Sequence, residues 1–493
     1  MMLSVRKTWH AAAAFVFAFT LLFANIIHLE SFVDWSGDAG DIWKTITTYY
    51  DSYTYQSYVL YKGYQAVFPY VWLYELSRYL NINEFIPIKV YYSLLFAYSV
   101  AIGMPYIVSK LCKVKINLVM RFIFIAIAFT IWQPSGALRQ LMIDLPSFTY
   151  FVLGTSVIFL IQDIPFTKKY KLAYFILAGL SCGLASGGSG QYGVAAILLF
   201  IYACIIIFKK DFSKIISRES SKFLVVPITC IVLLTVGLGV VKFVEVQFQN
   251  VVIERIYPGK VGLATSKQWA QYALSAKLLG MTMGPDLTVI PDNRGTAIIK
   301  EKDGDKANER IELLPKGGGV YSNSEYIKLI VKHPVDFISR WCNRLLIAIS
   351  FDGLDPSVSM LTLGATLVYI CFRSIYKNCK TLSSFFTPNS LIVLAFVFTI
   401  LSISVAHIEK RYALSIQALI MGVGLLNGDI VNLLRNGVRS IKQIIDEKSL
   451  QIIWHGSLSY SLVIYFVFLI LYITHFASIF ELLGPISGIL FKP

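Results

Sequence analysis

Asp34-Trp35-Ser36-Gly37-Asp38-Ala39-Gly40-Asp41-Ile42-Trp43-Lys44 follows directly on an apolar run from about His10 to Glu30, and it places three carboxylates within eight residues. Tryptophans flank the acidic residues, and tryptophan concentrates at the boundary between hydrocarbon and water. The stretch therefore reads as the first polar surface the chain meets after crossing a bilayer, and the rest of the sequence has to supply that bilayer context.

It does so through composition. Of 493 residues, 56% are hydrophobic and 15% charged, with a mean hydropathy of +0.64, outside the balance of soluble domains. The net charge of +15 does not indicate nucleic acid, because lysine and arginine recur in short groups between apolar runs, as cytoplasmic loops of membrane proteins do. The first apolar run has the basic lead Arg6 and Lys7 and the alanine-rich start of a signal peptide, but it is long enough to span and no small-residue cleavage site follows, so it is expected to be a retained helix. Cys182, Cys204, Cys230 and Cys371 fall in apolar runs and Cys112 and Cys379 in basic loops; none has metal-ligand spacing or an evident disulfide partner.

The expected fold class is an all-α polytopic membrane protein. A span needs roughly 20 apolar residues, which places helices near 10–30, 88–109, 117–133, 145–162, 172–188, 191–208, 223–243, 356–372, 389–406, 412–427 and 456–477, about 11 in all within a range of 9–13. Lys110, Lys113 and Lys115; Lys168, Lys169 and Lys171; Lys209, Lys210, Lys214 and Arg218; Arg373, Lys377 and Lys380; and Arg435, Arg439 and Lys442 fall in alternate loops, which the positive-inside rule makes cytoplasmic. The opposite face then receives loops 31–87, 133–144, 244–355 and 407–412. The chain divides into an N-terminal transmembrane module (1–243) carrying the first outer loop, a large outer loop region (244–355) and C-terminal transmembrane helices (356–493). Residues 67–76 are too short to span and read as an interfacial or re-entrant helix, Asp286–Gly319 reads as loop, and Val335–Ile349 as an amphipathic helix on the membrane.

Four polar motifs stand on the outer side. Asp38 and Asp41, three apart, share a face if they head a helix; they either cap it or provide a general base and its support. Tyr61 and Tyr64 belong to an aromatic run, Tyr49 to Tyr74, that suits a bilayer interface and equally a groove for sugar rings or a prenyl chain. Arg139 either snorkels or partners a phosphate, and Asp144, ahead of Pro146, either caps the next helix or is a second acid of the site. His407, Glu409, Lys410 and Arg411 crowd one non-cytoplasmic turn against the positive-inside trend, and either form a solvated helix connector or have an anionic partner. Lys267, Arg294, His333, Arg340 and Arg344 read as solvated cations or headgroup contacts. Ser186 to Gly190 lacks the lysine of a phosphate loop and reads as a turn between closely packed helices.

The acidic motif after the first helix, the Arg139 to Asp144-x-Pro146 turn, the Lys332-His333-Pro334 helix lead and the Glu409-x-Arg411-Tyr412 turn together resemble the GT-C superfamily of integral-membrane glycosyltransferases, nearest in pattern to bacterial O-antigen-modifying, serotype-converting glucosyltransferases. The resemblance implies a GT-C-like bundle in the bacterial inner membrane with the active site facing the periplasm. It further implies a polyprenyl-phosphate sugar donor, a lipopolysaccharide or other surface glycan acceptor, and a catalytic acid at Asp38 or Asp41. In this pattern Arg139, Lys410 and Arg411 take the donor phosphate, while Asp144, Glu409, His407, Tyr61 and Tyr64 support the acceptor. Asp38 is followed by Ala39, unlike the Asp-Glu pair of the protein mannosyltransferase branch, so whether Mg or Mn is used stays open, with Asp41 and Asp144 as its ligands if so. An O-antigen polymerase or ligase would rely chiefly on loop cations, and a transporter or flippase should carry ionisable groups inside its spans or show two similar halves.

Overall fold

The computed structural model describes residues 2–29, 38–52, 67–133, 136–163, 170–215, 222–256, 281–283, 289–291, 293–309, 323–349, 358–376, 388–404 and 410–426. In chain order the helices are α1 (Met2–Ile27), α2 (Asp38–Ser52), α3 (Phe68–Leu80), α4 (Ile86–Ala97), α5 (Met104–Cys112), α6 (Leu118–Trp132), α7 (Asp144–Asp163), α8 (Tyr170–Gly188), α9 (Tyr192–Ile215) and α10 (Lys222–Ile256). After the strands β1 (Met281–Met283) and β2 (Val289–Pro291) come α11 (Asn293–Asp303), α12 (Asn323–Lys332), α13 (Pro334–Ile349), α14 (Val358–Tyr376), α15 (Pro388–Ser404) and α16 (Leu414–Leu426). The contacts divide the chain into two compact units, 1–267 with 378–402, and 268–377 with 403–493.

Thr8–Ile27, Ile86–Cys112 and Asp144–Asp163 are long and apolar enough to cross a membrane, whereas Leu118–Trp132, Ala173–Gly188, Tyr192–Ile205, Asn389–Ser404 and Arg411–Leu426 are apolar but shorter. The expected span 456–477 lies outside the described residues.

In the first unit the most enclosed element is α7. Its Phe148, Phe151, Val152 and Leu145 are fully buried, and Phe151 meets Tyr192 of α9 and Phe396 of α15 at ring separations of 5.2 and 4.8 Å. Helix contacts in lipid gain little from burial itself and depend on close packing and polar bonds; the Ser99–Thr149 hydroxyl pair at 2.9 Å supplies one between α7 and the π-helical turn Tyr98–Gly103 that joins α4 to α5. α8 and α10 approach closely at their backbones, where a Cβ on Gly179 would fall 2.2 Å from the Leu234 carbonyl and one on Gly237 2.5 Å from the Ile176 carbonyl. The run Ser186 to Gly190, expected as a turn between closely packed helices, covers the end of α8 and the turn into α9, and Gly190 itself faces open space.

Local punctuation sets the short helices. Pro69 lies in the first turn of α3, and Asn81 ends it in the left-handed region at φ 51°. Asn117 accepts the Met120 amide at 2.8 Å to cap α6. Pro334 opens α13 directly after α12.

The all-α expectation holds apart from one short pair in the second unit, where β1 and β2 run antiparallel with Thr282 opposite Ile290. The loop expected over Asp286–Gly319 contains β2 and α11. Its composition is poor in helix formers, but Ile298, Ile299 and Ala307 are buried against Tyr326 and Leu329 of α12, and packing overrides local propensity. Ion pairs border this cluster: Arg294–Asp336 at 2.9 Å, Lys332–Glu301 at 2.7 Å and Lys302–Glu325 at 3.3 Å. The Lys332 ammonium beside Glu301 holds that exposed carboxyl below the usual range.

Candidate active site

Asp38 is the first residue of α2 and Asp41 lies in its first turn, where unpaired backbone amides favour negative charge. Their side chains, and that of Lys410, lie outside the described residues, as do Tyr61, Tyr64, His407 and Glu409 altogether. What the structure fixes is the seat of α2. Ala39, Ile42, Trp43 and Ile46, at the spacing of one helical face, are buried, while Lys44 is exposed.

Trp43 packs edge-on against Tyr74 of α3 at 5.4 Å and against Phe85 at 4.6 Å. One turn before Tyr74, Tyr70 donates its hydroxyl to the Met142 carbonyl at 2.8 Å and lies 3.1 Å from the Tyr92 hydroxyl. Tyr92 also donates to the Met142 carbonyl and accepts from the Met142 amide at 2.6 Å. Burial and the neighbouring phenols Tyr92 and Tyr91 push the Tyr70 phenol well above its ordinary range, so it stays a donor. α3 is thus a bridge, with one face holding both the acidic helix and the 136–143 turn. Sequence reading took Tyr70 and Tyr74 only as members of the aromatic run and did not single out Tyr92, so it missed the roles of all three.

The turn is built to present Arg139. Gly136, at φ +77°, takes a conformation that L side chains rarely adopt, and its carbonyl accepts the Arg139 and Gln140 amides at 3.2 and 3.0 Å. Ala137, Leu138, Leu141 and Met142 are buried, while Arg139 is exposed. Asp144 follows as the first residue of α7 and is only 2% exposed.

The second unit contains a cationic centre of its own. Arg340 and Arg344, one turn apart on α13, are 2% and 5% exposed, which corrects the reading of them as solvated or headgroup-facing. Their positions on the buried side of an amphipathic helix, rather than their charge, decide this. The Arg344 guanidinium donates to the Ser404 carbonyl at 3.1 Å, Trp341 donates to the Ser404 hydroxyl at 2.8 Å, and the Arg340 guanidinium lies 4.5 Å from the Phe337 ring centre. The turn Lys410–Ala413 packs on α13; its Arg411 is 5% exposed and lies over the Tyr412 ring at 5.4 Å. Burial raises the Tyr326 phenol, and the positive charges of Arg340 and Arg344 oppose that shift, which places both guanidiniums within electrostatic reach of it. A guanidinium stays charged when buried.

Among the described residues no three His, Cys, Asp or Glu side chains gather as a metal site.

No family model matches the chain, and no curated protein matches it. Among solved structures, the apo form of the Archaeoglobus fulgidus oligosaccharyltransferase superposes over 96% of this chain and 56% of its own length, at 13% identity and a TM-score of 0.38. The chain thus spans little more than half that protein, and a superposition at this level leaves the function to be read from the chain's own residues.

Proposed function

We propose that the chain is a membrane glycosyltransferase of the GT-C type that moves a sugar from a polyprenyl-phosphate donor to a cell-surface glycan, lipopolysaccharide O-antigen or similar, on the periplasmic face of a bacterial inner membrane. The observation that carries the reading is the α3 bridge: Trp43 on Tyr74 and Tyr70 on Met142 tie the head of the acidic helix to the turn that presents Arg139 and leads into Asp144.

In this reading the Asp38 carboxylate takes the proton of the acceptor hydroxyl as that oxygen attacks the anomeric carbon. The bond from carbon to phosphate oxygen breaks, the polyprenyl phosphate leaves with the electron pair, and configuration inverts. Asp41 supports Asp38. Arg139, Lys410 and Arg411 are assigned to the donor phosphate; within the second unit Arg340 and Arg344 are buried as Arg411 is, and burial strengthens the field of a charge on an anion. Asp144, Glu409, His407, Tyr61 and Tyr64 are assigned to the acceptor side. Mg²⁺ or Mn²⁺ held by Asp41 and Asp144 would add charge at the phosphate, and no step depends on it.

The test is transfer from a labelled undecaprenyl-phosphate hexose by the full chain in nanodiscs, with the anomeric configuration of the product read by NMR. Inverted product is expected. Retained configuration, or use of a diphosphate-linked donor alone, overturns the reading.

A further inference from the structure

We propose that Lys89 is a positioning residue for the acidic helix: its ammonium holds the end of α1 while Phe85, one turn earlier at the N-cap of the same helix, holds α2. This rests on the catalytic reading above. Lys89 lies in the first turn of α4, is 5% exposed, and donates from Nζ to the Leu29 carbonyl at 2.9 Å and to the Ile27 carbonyl at 3.2 Å. The Ile27 carbonyl ends α1, where the backbone carries partial negative charge and has no helical donors left, and Leu29 lies just past that end. Phe85 caps the start of α4 and packs its ring 4.6 Å from that of Trp43, which is 4% exposed.

A single turn of α4 therefore grips the chain at both ends of the connection that leads from the first span into α2. The choice of lysine is informative. A buried ammonium is costly unless it is bonded, and a leucine or methionine would serve if α4 needed only to pack against α1. Lysine instead makes a directed bond to Leu29, two residues beyond the last residue of α1. It fixes where the chain leaves the helix, and Phe85 fixes where it re-enters one. The sugar-transfer reaction needs that rigidity, because a base displaced by about 1 Å loses on the order of 100-fold in rate.

Lys89→Met and Lys89→Arg test this in two readouts. In the transfer assay, Lys89→Met is expected to lower kcat about 10- to 100-fold with donor KM within about twofold, and Lys89→Arg, which keeps donors for both carbonyls, to retain at least about half the native kcat. In the unliganded chain, with native cysteines replaced, the distance distribution between spin labels at Lys44→Cys on α2 and Leu94→Cys on α4, both exposed, is expected to broaden in Lys89→Met and not in Lys89→Arg. An unchanged distribution in Lys89→Met overturns the proposal, as does equal loss of kcat in the two variants. The spin-label readout needs no substrate, so broadening in a chain that transfers no sugar would retain the clamp and discard the glycosyltransferase reading.

Discussion

At the scale of single residues, the chain places arginine where burial makes its charge count. Arg344 cannot be replaced by lysine without loss, although charge is kept, because an ammonium lacks the planar, multi-donor fork that reaches the Ser404 carbonyl. Arg344→Lys is expected to raise donor KM about tenfold, equivalent to 1.4 kcal/mol of binding, with kcat near native, measured by initial rates at varied donor. A change in kcat alone would move Arg344 out of the binding role. Burial of Arg340 and Arg344 was not legible from sequence: their charge argued for water, and only the face of α13 on which they sit reverses that. Arg139 is the opposite case, since the buried run around it leaves the turn a single exposed charged side chain. The Tyr70 hydroxyl belongs at this scale too. Tyr70→Phe removes one of two phenols on the Met142 carbonyl, and with Tyr92 still bonded there the cost is expected at about 1 kcal/mol in thermal unfolding, with transfer reduced because the turn is less firmly tied to α3.

At the scale of elements, the apolar runs placed the helices well, because long runs carry a strong hydropathy signal. The acidic stretch also behaved as read at its backbone, with α2 beginning at Asp38. What the pattern could not show was partnership. That Trp43 seats on α3 and Phe85, that Tyr70 binds a backbone carbonyl 72 residues away, and that α8 and α10 meet through glycines are facts of tertiary packing with no local trace. The helix within 286–319 escaped for the same reason, since its partners Tyr326 and Leu329 lie beyond an intervening segment. The glycine contact gives a paired prediction. Gly179→Ala puts a methyl against the Leu234 carbonyl, so α8 and α10 must separate, at about 1–3 kcal/mol. Gly239→Ala, which meets nothing within 4 Å, should be neutral or gain up to about 1 kcal/mol in helix propensity. Thermal stability in detergent checks both; equal behaviour of the two would contradict the close contact.

At the scale of the whole molecule, the account depends on sidedness. Charge bias assigns Lys44 of α2 and Lys328 of α12 to the outer face and Lys113 to the cytoplasm; all three are exposed and suit cysteine labelling. In intact cells a membrane-impermeant maleimide is expected to reach Lys44→Cys and Lys328→Cys but not Lys113→Cys, and the reverse pattern would overturn the topology. Acid should weaken the Glu301–Lys332 contact of the second unit. Glu301 has its carboxyl pKa lowered by Lys332, so its contribution is present above the unfolded-state value near 4.5 and is lost as pH falls through the lower folded-state value; amide exchange in 293–337 should quicken below that point and not above it. The most direct measurement is of the acidic pair itself: single-turnover transfer from a labelled undecaprenyl-phosphate sugar by the native chain, Asp38→Asn and Asp41→Asn. The account predicts that Asp38→Asn loses about 10²- to 10⁴-fold in the transfer step while still binding donor, and that Asp41→Asn loses less; native rates in both variants would contradict it.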